Sequence, residues 1–463
     1  MKKYKTKILI LLSVLVFMSS YFFINSLIEK NKFLNLKSFL TIDQKNFLKK
    51  YVFPYRLISQ QEQIISQLEE GDELLYAELY FRTIKSEIET KKNDIKLSND
   101  KILRKYNLLQ GFYAGINNIT PGSGYIDFYQ KDLFILSSRG VLAFRKIDID
   151  DANFKTIKNN IDDFIGFKQF KKFDPRYGNK WFSLKDILIF KDQIFISYTE
   201  EIKEDCWNTS IIYGNINYEN IEFKKLFSSK KCVHSIKNLD KSFNAHASGG
   251  RLVSFDDNHI LLSVGDYISR HLGQNKDSIN GKIIKININN SDYKIVSMGH
   301  RNPQGLYFDK ENNFILETEH GPMGGDEINL IESEKINKDK IQNYGWPIAS
   351  YGEHYGGKNK KNEKKYEKYP LYKSHTKHGF IEPLKAFVPS IGISEIVKTH
   401  KNKYVVSSLK DRSLYFFELN GEKKITNLNR VEVFERVRDL KFKDNKLYLF
   451  MEDTASIGII NLN

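Results

Sequence analysis

Gly299-His300-Arg301-Asn302-Pro303-Gln304-Gly305-Leu306 and, one short strand later, Glu319-His320-Gly321-Pro322-Met323-Gly324-Gly325-Asp326-Glu327-Ile328-Asn329-Leu330 are the stretches on which this chain turns. The first sets an Arg, an Asn and a Gln around a proline turn, just ahead of the strand-like Leu306-Tyr307-Phe308. The second follows Phe314-Ile315-Leu316 and gathers glycines, a proline and two carboxylates into one loop. Such a loop can turn carbonyl and carboxylate oxygens toward a hard cation, the ligand set that calcium prefers. Two loops so close together, each at the end of a short strand, read as rim loops of a repeated β unit. Loops on a rigid scaffold are where sites sit.

Outward from there the same texture repeats. Short alternating segments recur at Asp132-Leu133-Phe134-Ile135-Leu136, Gln193-Ile194-Phe195-Ile196-Ser197, His259-Ile260-Leu261-Leu262-Ser263 and Lys446-Leu447-Tyr448-Leu449-Phe450. Asp/Asn turns such as Asp256-Asp257-Asn258 and Lys443-Asp444-Asn445 precede several of them. Closely spaced strands with such turns indicate an all-β fold, and over this length a propeller of four-stranded blades rather than a sandwich. A hydrophobic content of 41% suffices for a core, and 26 Tyr with 33 Phe favour strands over helices. The formal charge of +15 is spread among Asn and Ile rather than massed in a stripe. No helix-turn-helix, zinc-finger or RNP pattern accompanies it, so nucleic acid is not an expected partner.

The N-terminal part reads differently. Lys2, Lys3, Lys5 and Lys7 precede an apolar run from Ile8 to Ile24. Residues 1–27 therefore read as a signal anchor with a cytoplasmic N-terminus, the alternative being a cleaved signal peptide. Residues 28–100 read as a helical stalk and linker: Ile64, Leu68, Leu75 and Leu79 recur at helical spacing, and Glu89 to Asp100 is a mostly polar run. The propeller is expected over 101–463. The two cysteines, Cys206 and Cys232, fall in the part that would be exported. There they either close one disulfide or stand as two unrelated thiols.

The octapeptide, the Glu-His-Gly-Pro-x-Gly-Gly-Asp-Glu loop and Asn343-Tyr344-Gly345-Trp346-Pro347 resemble, in order, the motifs of the glucose/sorbosone dehydrogenase family. These are pyrroloquinoline quinone (PQQ)-dependent aldose dehydrogenases on a six-bladed β-propeller. The resemblance implies that His246 is the catalytic base, that Asp266 orients it, and that Arg301 polarises the quinone carbonyl that accepts hydride. It implies a cofactor site of Asn302, Gln304, Lys410, Arg436 and Arg438. It also implies a cofactor calcium on the carbonyls of Gly321 and Pro322, and a second calcium at Glu327 and the Tyr344 carbonyl.

The residue chemistry is consistent with those roles. Oxidising an aldose at its anomeric carbon removes a hydroxyl proton as hydride leaves the same carbon, a task suited to a neutral imidazole. Charge that develops on the acceptor calls for a fixed cation such as Arg301. A tricarboxylate calls for several cations, and Lys410, Arg436 and Arg438 are candidates. The expected protein is thus a membrane-anchored quinoprotein on the periplasmic side of an inner membrane. It takes an aldose or short glycan and passes electrons to an external acceptor. One departure stands out: the family's glutamine-bearing segment of the first blade is reduced to Thr120-Pro121-Gly122-Ser123-Gly124-Tyr125. That departure keeps open an alternative, a propeller without turnover that binds a glycan or a protein partner.

Overall fold

Two-residue turns set the local geometry. Lys191 and Asp192 (φ 50° and 59°) and Asp444 and Asn445 (φ 49° and 56°) are left-handed at both central positions. This is the hairpin turn whose twist matches the flanking strands, and it is where Asp and Asn are tolerated best. The computed structural model of the protein describes Ser19 and residues 81–463, apart from 83, 99, 113–121, 148–152, 165–172, 175–178, 181–182, 337, 339 and 356–366. The chain divides into two units, Met1–Glu73 and Leu74–Asn463, and the architecture that follows is that of the second.

Among the described residues its strands form six main, largely antiparallel sheets, the blades. Their innermost strands are Gly124–Tyr129, Leu184–Phe190, Gly249–Asp256, Pro303–Asp309, Ile393–His400 and Val437–Lys443, in blades one to six. Each inner strand touches the next, and the sixth touches the first, so the ring closes as a six-bladed propeller. Blade six is shared between the two ends of the unit. Ile102–Leu108 pairs antiparallel with Ser456–Asn461, and Thr90–Lys96 pairs on its outer side.

Alternation along the strands supplies the core. Leu133 and Ile135 pack in the layer between blades six and one, while Phe134 and Leu136 pack between blades one and two. Six such layers fill the six gaps between blades. Both faces of a strand are therefore buried, as the period of two requires.

Around the axis, carboxylates tie one inner strand to the next. Asp439 accepts the Ile126 N–H at 2.7 Å, Asp127 that of Ile189 at 2.6 Å, and Asp186 that of Leu252 at 2.7 Å. Glu395 accepts the Leu306 N–H at 3.0 Å. Arg251 sits among them, 3.2 Å from Asp186, 2.9 Å from Asp439 and 3.1 Å from Glu395. Buried charges persist only when paired in this way.

The expected helical stalk and linker needs correction at its C-terminal end. Glu87–Ile88 and Thr90–Lys96 are strands, so the propeller starts before residue 101. Thr90–Lys96 is an outer edge strand with almost every side chain solvent-facing. It carries no alternating apolar face, and its strand state comes from pairing with Ile102–Leu108. Residues 1–27, except Ser19, and 28–80 lie outside the described residues, as do Thr120, Pro121 and nearly all of the Lys-rich 356–367 insertion. Among the described residues no helix is long and apolar enough to cross a membrane.

Candidate active site

The inner strands begin at one end of the ring, and the loops joining them enclose a cavity of about 460 Å3. Lys185, Gln304 and Arg438 reach it from inner strands of blades two, four and six. Lys410 and Arg436 reach it from loops of blades five and six, and His246 from the connection into blade three. His246, Arg301, Asn302, Gln304, Gly321, Lys410, Arg436 and Arg438 all line this one space. These residues lie far apart in sequence, and the propeller brings them together.

His246 rides on the short 3-10 turn Ala245–Ala247, whose cap Asn244 accepts the His246 N–H at 2.8 Å. Burial first, then the positive charges of Lys185 and Arg438, push its imidazole down to about 3. Near neutral pH it is therefore an uncharged ring. Asp266 is fully buried, but its oxygens serve Trp346 Nε1 at 2.8 Å and the Ile268 N–H at 2.7 Å. Among the described residues its partners are these, and His246 is not one of them. Asp266 instead holds the wall formed by Trp346, over which the Arg301 guanidinium lies at 5.5 Å.

Arg301 is fixed by two carbonyls, donating to His320 O at 2.8 Å and Gly321 O at 2.6 Å. The Gly321–Gly325 loop is too tight for a side chain at its first position: a Cβ on Gly321 would lie 1.7 Å from the Gly325 carbonyl oxygen. Asn302 accepts from Gly249 N–H and from Gln304 Nε2, and Gln304 Oε1 accepts from Arg438 at 3.0 Å. Arg438 and Arg436 are braced by one carboxylate, Glu452, at 2.6 Å and 3.0 Å. Burial pushes Glu452 up, but Arg438 and Arg436 outweigh it and hold it at about 2. Its remaining partner is Ser123, at 2.7 Å. The first blade thus supplies a serine from the shortened segment.

The expected metal ligands fall into two places. In this structure the Gly321 and Pro322 carbonyls accept protein N–H groups, the Arg301 guanidinium at Gly321 and the Gly325 amide, at 3.3 Å, at Pro322. Glu327 belongs to a deeper nest behind the cavity. There it faces Glu319 across the strand pair, with His300, Glu317 and Asn329 beside them. Burial and mutual repulsion with Glu319 raise both Glu317 and Glu327 well above the ordinary carboxylate range. His375 lies 3.7 Å from Glu327 and against the Tyr344 carbonyl. Carboxylates and a carbonyl are donors that suit a hard cation.

Sequence reasoning missed Lys185, Glu452, Ser123 and the Glu317 nest. Glu452 carried one usable signal, a carboxylate directly after the apolar run Leu447–Met451, whereas Lys185 carried none. The disulfide is formed, joining Cys206 and Cys232 with their Cα atoms 5.3 Å apart.

A protein-family model described as Glucose / Sorbosone dehydrogenase matches residues 189–460, more than half of the chain. The aldose sugar dehydrogenase YliI of Escherichia coli (strain K12) is 25% identical over 303 residues, covering 59% of this chain and 75% of that protein. The crystal structure of the soluble aldose sugar dehydrogenase of Escherichia coli in its apo-form superposes with a TM-score of 0.55 at 21% identity, covering 73% of this chain and 95% of that one. The PQQ-bound form of the Streptomyces coelicolor aldose sugar dehydrogenase gives 0.52 at 16% identity, covering 78% and 98%. These structural likenesses show the same fold.

Proposed function

This chain belongs to the glucose/sorbosone dehydrogenase family, and from that premise we propose that it oxidises an aldose at the anomeric carbon to the lactone, using pyrroloquinoline quinone. One observation carries the reading: residues spread between 246 and 438 converge on one cavity with an excess of positive charge. Among the described residues, Lys185, Arg301, Lys410, Arg436 and Arg438 face Asp326 and Glu452 there, a net of three positive charges once Lys185 is protonated. A fully ionised tricarboxylate carries three negative ones. The residues therefore fit such a cofactor, and Asn302, Gln304, Lys410, Arg436 and Arg438 are the groups to hold it.

When bound, PQQ supplies the hydride acceptor. The protein's own part is charge and proton handling. Arg301, immobilised on two carbonyls and on the face of Trp346, presents a preorganised cation that needs no reorientation during reaction. Neutral His246 takes the proton of the anomeric hydroxyl. Its basicity is held down partly by Lys185 and Arg438, so an anion that neutralises those two raises it when the site fills.

Calcium enters this reading at the Gly321 and Pro322 carbonyls beside the quinone and at the Glu327 nest, as a support for the loops. The Cys206–Cys232 bridge supports an oxidising compartment. The lysine-flanked apolar run of residues 1–27 supports attachment to the exported face of a membrane, where an external acceptor takes the electrons.

The test is reconstitution of the full chain with PQQ, with and without calcium, following the cofactor's absorbance as aldoses are added. Reduction by a sugar is expected, with His246→Ala slowing it roughly 100- to 10,000-fold while still binding the quinone. Quinone binding without reduction by any aldose would favour the binding propeller instead.

A further inference from the structure

Four of the five cavity cations have an evident station. Arg301 rests on carbonyls, Arg436 and Arg438 rest on Glu452, and Lys410 stands exposed at the rim. Lys185 is different. It is only 5% exposed, it lines the cavity, and among the described residues its ammonium has no hydrogen-bond or ion-pair partner. A buried cation without a partner is costly unless something else completes it.

The neighbouring backbone is shaped around this side chain. Gly250, on the next inner strand, has φ +115°, and a Cβ there would lie 2.3 Å from the Lys185 Cβ. The glycine lets blade three close against the lysine stem, so the stem is gripped while its end opens into the cavity. The charged groups around it are Arg438 and Glu452 from blade six, Arg251 from blade three, and His246 from the connection into blade three. Two fixed cations against one carboxylate leave that corner short of negative charge.

We propose that Lys185 is a carboxylate-binding group of the cofactor site, and that the site takes up a proton there when the tricarboxylate binds. The proposal rests on the quinone reading above. In the empty site burial, then Arg438, bring the Lys185 ammonium down to about 7, so a share of the molecules carries a neutral amine at neutral pH. An arriving carboxylate favours the charged form, and the amine gains one proton from solvent with no other bond made or broken. This assigns the proton uptake to a residue of blade two, which none of the motif matches reached.

The experiment is calorimetric titration of the full chain with PQQ at pH 7.5, in buffers of different ionisation enthalpy. Wild type, Lys185→Met and Lys185→Arg are compared, each checked for an unchanged melting profile before PQQ is added. Wild type is expected to take up a measurable fraction of a proton. Lys185→Met is expected to bind roughly ten- to a hundredfold more weakly with no uptake. Lys185→Arg, whose charge is permanent, keeps affinity and loses the uptake. Equal affinity and equal uptake in Lys185→Met would overturn the role of Lys185 while leaving the quinone reading intact. Failure of wild type to bind PQQ would overturn the quinone reading and this assignment with it.

Discussion

The cavity and the axial ring beneath it are built from the same inner strands, often from consecutive residues. Lys185 and Asp186 are neighbours in blade two, and Arg438 and Asp439 are neighbours in blade six. In the ring, every carboxylate accepts a backbone N–H from the adjoining blade and Arg251 joins three of them. Against the cost of burial, Asp127, Asp439, Asp186 and Glu395 together hold the Lys441 ammonium above its ordinary value. In the cavity, positive charge outnumbers negative and one ammonium has no partner among the described residues. Paired buried charge closes the propeller. Surplus charge, one residue earlier on the same strand, awaits a ligand.

Arg251 is the residue on which the ring depends most. Arg251→Met leaves Asp186, Glu395 and Asp439 facing one another in the interior. It should cost about 3–5 kcal/mol in denaturant unfolding. Arg436→Met, which removes a cation from the cavity side, should cost under about 1 kcal/mol of stability. Its effect should appear instead as weaker quinone binding. Similar stability losses for the two would erase the distinction between ring and cavity.

A smaller effect lies in the pH dependence. The unfolded chain binds a proton on His246 below about pH 6.5, whereas the folded site resists it down to about 3. Between those values the unfolded state holds more protons, so stability falls as pH drops through the window. His246→Gln should flatten that slope by one proton in urea unfolding measured from pH 6.5 to pH 4. An unchanged slope would mean the imidazole is not held neutral by burial, Lys185 and Arg438.

What could be read from sequence follows the same division. The rim loops were legible because glycine, proline and carboxylates at fixed spacing leave little conformational choice. The blade texture was legible because Asp and Asn sit where hairpin turns need left-handed residues, as at Asp444 and Asn445. The axial ring was not legible. Its members run from Asp127 to Lys441, and each looks like an ordinary charge until six inner strands meet. Lys185 was hidden in the same way, one lysine in a chain rich in them. Thr90–Lys96 was hidden for the opposite reason, since an exposed edge strand needs no apolar face.

The cavity's excess charge is matched to a tricarboxylate quinone. The most direct measurement is the affinity of the full chain for PQQ at pH 7.5 as salt is raised from about 50 to 500 mM. One site per chain and progressive weakening with salt are expected, because cavity charges open to solvent are screened. Absence of binding, or binding indifferent both to salt and to the loss of Arg436, would contradict it.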